Sequence, residues 1–582
     1  MPNPASPTDG RDSVSKQTLT GILAFGVALI ALCYGLGRTP LLPPDEGRNA
    51  EIAREMKESG RWLVPAYNGA DYLDKPAFYF KAVALSFSLL GESEAAARSV
   101  STFFGLALLV VTYWFCSRAS NRRCAALAVM VIATTPLYIA YSRIVIFDIP
   151  LTFFTCTAIM AGYIAEEQEG RSRRNWYLLG AALAGLATLV KGPVGFIVPA
   201  LVLCVFYWIE GRRGAIKRLL SPLNLCVFFA VVLPWFVGVS LVHPDFPRYG
   251  IIEESFHRFT TNSFRRTKPV YFYPLIIAGT FFPWSLLLPE SILLAWRQRV
   301  RWTRLDRLCV VWSITVVIFF SLSKSKMPGY ILSAAVASGI LVARLFDRAI
   351  ESPTGGGRRI ANRAAAALVV VGVCIAAVML YAGLHPVAAG RVIHLTADQS
   401  EQLMRYAPQT LSLFLFLAAL AAFARYRQSV HLTFATFVLS SITLIVFDTG
   451  AFEFFSNRRS VRDLAFRVSA LSASAEVACL ECLPHGLPYY LKRTVTLITA
   501  DGSELTSNYV LFDLKSNPQW PPSLVRLTER DRWLDSRRRP IYLIAKSGAR
   551  LTLERIAAER GGRVFQLTPD FCGLLLPAPR NA

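Results

Sequence analysis

Two short polar motifs stand beside apolar segments near the start of the chain, and their side chains could act on an anionic substrate. The first motif, Asp-Glu-Gly-Arg, occupies residues 45–48, and the second, Asp-Lys-Pro, occupies residues 74–76. Ionisable side chains next to a membrane-spanning segment are costly and usually have a function. A lysine is a compact charge suited to phosphate, and a carboxylate can accept a proton or orient a substrate. The two motifs therefore indicate chemistry at a membrane.

Apolar segments must position these motifs. Of the 582 residues, 53% are hydrophobic, and apolar runs of roughly 17–23 residues, the length of a membrane span, recur along most of the chain. They predict an α-helical polytopic membrane protein with about thirteen spans. The predicted spans cover residues 17–37, 95–117, 122–141, 148–165, 175–190, 194–209, 223–242, 271–293, 308–323, 329–345, 363–383, 409–424 and 430–448. The segment Phe78–Leu90 is shorter and contains Lys81, which predicts an amphipathic interfacial helix.

Basic residues give the orientation of the spans. The formal net charge of +23 would suggest nucleic acid in a soluble protein, but here Lys and Arg cluster in short loops between apolar runs. Counting spans places the arginine-rich loops on one face, near residues 118–123, 171–174, 212–218, 297–307, 344–363 and 425–427. The positive-inside rule makes that face cytoplasmic. The charge therefore predicts membrane topology and no nucleic-acid partner, and both motifs lie on the outer face.

Two carboxylates stand at the outer ends of predicted helices. Asp45 precedes a helical pattern that ends near Gly60, and Asp148 begins a span. Either residue could serve only as a helix N-cap, because Asp is favoured at that position. Their location on one face instead predicts a catalytic pair. Ile52 and Met56, four residues apart, further predict that the helix after Asp45 rests on the membrane.

Six basic side chains share the predicted outer face: Arg48, Lys75, Arg143, Lys191, Lys324 and Lys326. Together they predict a positive basin at the level of lipid phosphates. Lysines at helix ends also commonly extend to the lipid headgroups without binding a substrate, and this second explanation stays open for each lysine.

The outer loop 243–270 carries two further polar candidates, Glu253 and His257. With Asp45 and Asp148 they could bind a divalent metal, or the loop could be a solvated lid.

The C-terminal region, residues 456–582, has a different pattern. Short β-rich runs follow a helical stretch at 461–471, and they predict a small α/β domain. The runs cover residues 495–498, 509–514, 541–545 and 564–567. Cys479 and Cys482 predict either a disulfide or two unreactive thiols in preference to a metal or redox centre, because no partnering cluster accompanies them.

Taken together, the motifs resemble those of a known enzyme family. The resemblance rests on Asp-Glu-Gly-Arg (45–48), Asp-Lys-Pro (74–76), Arg-Ile-Val-Ile-Phe-Asp (143–148), Lys-Gly-Pro (191–193) and Lys-Ser-Lys-Met-Pro-Gly-Tyr (324–330). These segments are similar to motifs of the aminoarabinose transferases, polyprenyl-phosphate-dependent glycosyltransferases of the C superfamily that are related to protein O-mannosyltransferases. The chain departs from the pattern at Ala77, where a second Pro is expected, and at Gly329, where a larger residue is common. Both departures concern substrate preference more than reaction type.

The resemblance implies transfer of 4-amino-4-deoxy-L-arabinose from undecaprenyl phosphate to a phosphate of lipid A, on the periplasmic face of a bacterial inner membrane. The implied partners are the undecaprenyl phosphate-linked sugar, lipid A and membrane lipids. The sequence shows no required cofactor beyond this lipid-linked donor, although a divalent metal is an option. A single displacement with inversion is expected, because no nucleophile other than the two carboxylates is evident.

On this interpretation Asp45 and Asp148 act in catalysis or position the acceptor. The residues expected to bind substrate are Arg48, Tyr72, Asp74, Lys75, Arg143, Lys191, Lys324, Lys326 and Tyr330. Two other functions fit the same architecture: an enzyme like the protein O-mannosyltransferases, and a flippase that moves the lipid-linked sugar without modifying an acceptor. The predicted domains are a transmembrane glycosyltransferase domain, 1–455, with outer loops at 38–94 and 243–270, and a periplasmic α/β domain, 456–582.

Overall fold

The chain folds into a helical membrane part followed by a C-terminal α/β region, as seen in a computed structural model that describes residues 7–250, 268–297, 302–352, 356–385, 397–459, 461–471 and 475–578. The helices of the membrane part are α1 (Pro7–Cys33), α2 (Asp45–Ser59), α3 (Phe78–Leu90), α4 (Glu94–Ala119), α5 (Arg122–Ala133), α6 (Pro136–Ser142), α7 (Asp148–Ala165), α8 (Gly170–Lys191), α9 (Val194–Ile209), α10 (Arg213–Leu219), α11 (Pro222–Val242), α12 (Phe246–Arg248), α13 (Phe272–Thr280), α14 (Leu288–Arg297), α15 (Arg304–Leu322), α16 (Leu332–Glu351), α17 (Gly356–Leu384), α18 (Ala397–Arg427) and α19 (Val430–Arg459). A hairpin of β1 (Ala66–Tyr67) and β2 (Ala70–Asp71) joins α2 to α3.

The C-terminal region alternates strands and helices. Its elements are α20 (Arg462–Leu471), β3 (Glu476–Leu480), α21 (Leu487–Leu491), β4 (Thr496–Thr499), α22 (Asn508–Ser516), β5 (Leu524–Arg526), α23 (Arg530–Asp535), β6 (Ile541–Lys546), α24 (Arg550–Arg560), β7 (Arg563–Gln566) and β8 (Phe571–Leu576). Short 3₁₀ helices lie at Trp284–Leu287, Pro328–Ile331, Ser503–Leu505, Leu527–Glu529 and Ser547–Ala549.

The predicted spans coincide with helices, and this confirms an α-helical membrane protein with several spans. Each predicted span overlaps one helix or two consecutive helices. Within the described ranges, seven helices are long and apolar enough to cross a membrane, or up to nine if each of two bent pairs is one span. The exact number of crossings stays a prediction.

Two predicted spans are bent. The axes of α5 and α6 differ by 70°, and α13 meets the helical segment that begins at Trp284 at 113°. Pro136 and Pro283 stand at the two breaks, where the missing amide hydrogen removes a helical hydrogen bond. The spans predicted over 122–141 and 271–293 therefore each consist of a bent helix pair.

Helix α2 differs from its prediction at its start and in its surroundings. It begins at Asp45 itself, Pro44 is the N-cap residue and no side-chain cap bond forms, so Asp45 is not a cap. The helix ends as predicted at Gly60, which has a φ of 68°. Ile52 and Met56 are buried in a cluster that includes side chains of the C-terminal region. The prediction that this face rests on the membrane is therefore wrong.

A six-stranded sheet forms the centre of the C-terminal region, in the order β5-β4-β3-β6-β8-β7. The first four strands are parallel, and β8 and β7 are antiparallel to their neighbours. Strands β4, β6 and β7 match predicted runs, whereas β3, β5 and β8 were not predicted. Cys479 and Cys482 are buried free thiols, which matches the second of the two predicted options.

The run 509–514, predicted as a strand, is part of helix α22. Ser507 caps the helix by accepting a hydrogen bond from the Val510 amide at 3.2 Å. Asp74, in the membrane part, accepts bonds from the amides of Asn508 and Tyr509 at 3.1 and 2.7 Å. These acceptors satisfy amides that the start of a helix leaves without partners. The strand prediction is wrong because one of the two capping residues is distant in sequence.

Two glycines allow α2 and the C-terminal region to touch through their backbones. A Cβ atom on Gly47 would lie 2.7 Å from Cα of Gly486 and 3.0 Å from the carbonyl carbon of His485. Gly486 also has a φ of 95°, which L side chains rarely adopt. The contact therefore requires residues without side chains.

Replacing Gly47 by Ala should destabilise the protein by about 1–3 kcal/mol, because the added methyl group overpacks this contact. Thermal unfolding of the detergent-solubilised chain would measure the change. Gly548→Ala is the matched control, since a Cβ there meets nothing within 4 Å. Equal unfolding temperatures for the two variants would contradict the prediction.

Candidate active site

The ends of several helices meet around a cavity of about 540 Å³. Its wall is largely apolar and includes Leu73, Leu151, Val194, Ile197, Val198, Trp235, Phe236, Phe246, Phe319 and Phe320. Five of the residues expected to act on substrate also line it: Asp74, Lys75, Asp148, Lys191 and Tyr330. A concave apolar space with a few charged groups suits an amphiphilic ligand.

Glu46 of the first motif and the adjacent Asn49 form hydrogen bonds with the loop that leads into Asp148. Glu46 accepts a hydrogen bond from the Val145 amide at 3.0 Å, and Asn49 donates to the Val145 carbonyl at 2.8 Å. Glu46 also forms a two-pronged ion pair with Arg98, with both N–O distances at 2.8 Å. Arg98 donates to the carbonyl oxygens of Leu36, Thr39 and Pro40 as well. These buried bonds hold the two carboxylate-bearing segments together.

Asp148 is paired with a lysine. It is the first residue of α7, whose N-cap Phe147 makes no side-chain cap bond. The carboxylate Oδ1 lies 2.7 Å from Nζ of Lys191, and the two side chains are 6% and 13% exposed. The same Nζ lies 5.0 Å from the centre of the Tyr330 ring. Because charges interact strongly when little water surrounds them, an anion in the cavity would compete with Asp148 for this ammonium group.

Asp45 forms a second ion pair, with Arg48, and neither residue lines the cavity. Oδ1 of Asp45 lies 2.5 Å from Nη2 of Arg48, and the Arg48 guanidinium stands over the Tyr72 ring at 5.7 Å. The Asp45 side chain is 36% exposed, so it remains accessible. Nε of Arg48 is buried and has no hydrogen-bond partner among the described residues. This donor could bind an anionic ligand.

Tyr141 and Asp148 both lie against Gly329. A Cβ atom on Gly329 would lie 2.5 Å from Cε1 of Tyr141 and 2.7 Å from Oδ1 of Asp148. The absence of a side chain at Gly329, noted as a departure from the family pattern, therefore lets this phenol and this carboxylate approach each other. Sequence analysis did not select Tyr141, although it stands two residues before the motif 143–148.

Lys75 and Asp74 both line the cavity, and the Asp74 carboxylate also binds the C-terminal region. Nζ of Lys75 donates to the main-chain carbonyl of Asp74 at 2.6 Å. The Asp74 carboxylate accepts bonds from the Tyr249 hydroxyl at 2.7 Å and from the Asn508 and Tyr509 amides. Sequence analysis missed Tyr249 and Tyr509, which no local motif marks.

Four of the six predicted basic residues do not line the cavity, Arg48 among them. Arg143 donates to the carbonyl oxygens of Ala31 and Tyr34 and lines a second cavity instead. Lys326 is buried, and its Nζ donates to main-chain carbonyls, at 2.6 Å in the case of Ser323. Lys324 is exposed. The structure thus gathers only part of the predicted positive basin.

His485 is a further residue that sequence analysis missed. Its Nδ1 lies 3.0 Å from the Tyr67 hydroxyl, and it belongs to the turn that touches α2. Burial, followed by the positive charge of Arg48, lowers the pKa of His485 to about 4, against a smaller opposing effect of Asp45. The ring is therefore neutral at physiological pH and ties the β1–β2 hairpin to the C-terminal region.

Of the four candidate metal ligands, the structure describes Asp45 and Asp148. Glu253 and His257 lie outside the described residues. Within the ranges that are described, no group of three or more His, Cys, Asp and Glu side chains could hold a metal ion.

The chain is similar in sequence to several transferases. The chain is 31% identical over 308 residues to the undecaprenyl phosphate-alpha-4-amino-4-deoxy-L-arabinose arabinosyl transferase of Erwinia tasmaniensis, covering 52% of this chain and 55% of that protein. It is 29% identical over 324 residues to the protein of the same name from Serratia proteamaculans, with 55% and 58% covered. The match thus spans little more than half the length of these relatives.

Residues 45–249, which contain both motifs, match the family model described as dolichyl-phosphate-mannose-protein mannosyltransferase. Nearly the whole chain resembles the crystal structure of ArnT from Cupriavidus metallidurans bound to undecaprenyl phosphate. The TM-score is 0.81 at 25% identity, and 96% of this chain and 99% of that chain are covered. The chain thus resembles aminoarabinose transferases in sequence over about half of their length and in fold over nearly all of the chain. The apo structure of the same Cupriavidus metallidurans protein gives a TM-score of 0.80.

Replacing Gly329 by Ala should destabilise the protein by about 1–3 kcal/mol, because the methyl group collides with Tyr141 and Asp148. Thermal unfolding would measure it, with Gly279→Ala as control, since a Cβ at Gly279 meets nothing within 4 Å. In a Tyr141→Ala background the cost of Gly329→Ala should shrink, because one of the two colliding groups is gone. Strictly additive effects would contradict this contact.

Acidification should lower the free energy of unfolding, because His485 is held neutral in the folded protein. Above the ordinary histidine pKa of 6.5 the ring is neutral in the folded and unfolded chains; below it, only the unfolded chain takes up a proton until about pH 4. Stability should therefore fall as pH falls through this window, by up to about 1.4 kcal/mol per pH unit. Unfolding temperatures between pH 7.5 and 5 would measure the slope. The variant His485→Asn should show a shallower slope, and an unchanged slope would refute the assignment.

Proposed function

We propose that the chain is a membrane glycosyltransferase that moves 4-amino-4-deoxy-L-arabinose from undecaprenyl phosphate to a phosphate of lipid A. The observation that carries this proposal is the cavity itself, in which Lys75 and Lys191 face a long apolar wall. A polyprenyl phosphate has the same division into an anionic group and an apolar chain. The names of the similar proteins support the same substrates.

The donor would bind with its phosphate at the lysines and its prenyl chain along the apolar wall. Lys75 and Lys191 supply positive charge, and Tyr330 flanks Lys191. Arg48, held over Tyr72, does not line the cavity, and its buried Nε would be a further donor for the phosphate. Lys324, which is exposed and does not line the cavity, would act at most on approaching lipid headgroups. Lys326 is buried, and its ammonium group is bound to main-chain carbonyls.

The reaction is a single displacement at the anomeric carbon of the sugar. An oxygen of the acceptor phosphate bonds to that carbon while the bond from the carbon to the donor phosphate oxygen breaks, which inverts the configuration. The electron pair of the broken bond leaves with undecaprenyl phosphate, whose negative charge increases. Cations that bind this departing charge more strongly than the intact donor lower the barrier.

A phosphate acceptor changes what the carboxylates must do. With a second pKa of about 6, a phosphate monoester is largely ionised at neutral pH and needs no strong general base. Asp45 and Asp148 would therefore orient the acceptor, bind the sugar amine or offset positive charge at the anomeric carbon. The accessible Asp45 suits acceptor contact, whereas Asp148 is positioned to hold Lys191.

We further propose that the site faces the periplasm and that residues 1–455 and 456–582 act as the transmembrane and periplasmic domains. The arginine-rich loops support this orientation, because they lie opposite the motifs in the span count. A divalent metal at Glu253 and His257 stays a prediction.

A second candidate function is transfer of a polyprenyl-linked sugar to protein, favoured by the match of residues 45–249 to the protein mannosyltransferase family model. A serine or threonine hydroxyl acceptor would then require one carboxylate to accept a proton during attack.

Mass spectrometry of lipid A from cells that carry the chain tests the proposal. Lys75→Met and Lys191→Met should each lower aminoarabinose addition by at least about 100-fold, because each removes charge from the departing phosphate. Lys217→Met is the control, since Lys217 is exposed on α10. Equal addition in all variants would refute the site.

Two other outcomes would redirect the proposal. Sugar found on protein with no change in lipid A mass would favour the second candidate, and transport of labelled lipid-linked sugar across vesicles without any modified acceptor would indicate a flippase. Labelling in inverted vesicles but not in right-side-out spheroplasts would refute the periplasmic orientation.

A further inference from the structure

One short segment of the C-terminal region, Thr506–Tyr509, contacts both sequence motifs at once. It bonds to Arg48 of the first motif and to Asp74 of the second. The remainder of α2 and the β1–β2 hairpin separate the two motifs in the chain. The segment therefore bridges the two parts of the candidate site from outside the membrane part.

At the first motif the contact is charged and short. Nη1 of Arg48 donates to the Thr506 hydroxyl at 2.8 Å, with the Thr506 carbonyl at 3.5 Å. Nη2 of the same guanidinium binds Asp45. The guanidinium is planar and rigid, so fixing these two nitrogens also fixes the direction of its buried Nε. Thr506 itself has a φ of 52°, a conformation unusual for a β-branched residue.

At the second motif the segment binds the carboxylate and leaves the lysine in the cavity. Asp74 is 7% exposed, and its two oxygens accept the Asn508 and Tyr509 amides and the Tyr249 hydroxyl. Its main-chain carbonyl accepts the Lys75 ammonium. Since these groups belong to adjacent residues, anchoring Asp74 also sets where Lys75 stands. Asp74 is on this evidence a positioning residue for Lys75.

We propose that the Thr506–Tyr509 segment positions Arg48 and Lys75 to bind the phosphate of the lipid donor. This inference rests on the proposed function and extends it to the C-terminal region, whose part in the site the sequence did not reveal. The rival explanation is that the segment only attaches the C-terminal region to the membrane part. A second attachment point separates the two explanations: Ser523 donates to the Asn68 carbonyl at 2.6 Å, away from Arg48 and Asp74.

The test compares full-length variants in binding of labelled undecaprenyl phosphate, with undecaprenol, which lacks the phosphate, as the second probe. Thr506→Val keeps the shape but removes the hydroxyl that holds Arg48, and it should weaken undecaprenyl phosphate binding roughly tenfold. Undecaprenol binding should stay unchanged. Thr506→Ser restores the hydroxyl and should recover most of the affinity. Ser523→Ala loses an attachment bond only and should change binding less than about twofold.

The outcomes separate the inference from the proposed function. If the unaltered chain binds undecaprenyl phosphate no better than undecaprenol, the proposed donor is wrong and the inference falls with it. If the unaltered chain prefers the phosphate but Thr506→Val does not weaken binding, the inference alone is overturned. If Thr506→Val and Ser523→Ala weaken binding equally, or if Thr506→Val weakens binding of both probes equally, the segment only attaches the C-terminal region. Either result would also overturn the inference.

Discussion

The buried ion pair between Glu46 and Arg98 is the interaction on which the site depends. Removing two charges from water costs several kcal/mol per ion, and only good geometry with further hydrogen bonds offsets that cost. Here the carboxylate also accepts two main-chain amides, of Leu42 and Val145, while the guanidinium reaches three carbonyl oxygens. Loss of either partner would leave the other charge buried and uncompensated. The pair therefore keeps one arrangement of the segments that carry Asp45 and Asp148.

The charges around the cavity are similarly paired, but less completely. Asp148 holds Lys191 and Asp45 holds Arg48, and each pair sits beside a tyrosine ring. In such surroundings a phosphate can exchange places with a carboxylate at the cation without exposing an unpaired charge. This explains why a site for an anionic lipid would contain carboxylates at all: they keep the cations paired while the cavity holds no ligand.

The C-terminal region is part of the same structural unit as the motifs. Its contacts include the paired backbones of Gly47 and Gly486, the buried His485 next to Tyr67, and the segment that caps α22 on Asp74. Hydrogen-bond acceptors of the membrane part bind donors of the C-terminal region. Without this contact, buried polar groups in both would lack hydrogen-bond partners. The region therefore contacts the segments that carry both motifs directly, although none of its described residues lines the cavity.

The amino-acid sequence by itself determined the helical membrane part, the α/β nature of the C-terminal region and the four charged residues that line the cavity. These follow from local properties: apolar length sets a span, and ionisable residues at span ends are costly unless used. Tertiary structure alone decided what each side chain faces. Arg143 turns to the carbonyl oxygens of Ala31 and Tyr34, and Asp74 caps α22, so that the run 509–514 is helical. Such partners lie far apart in the chain, and since a hydrogen bond depends on distance and direction in space, no local pattern encodes them.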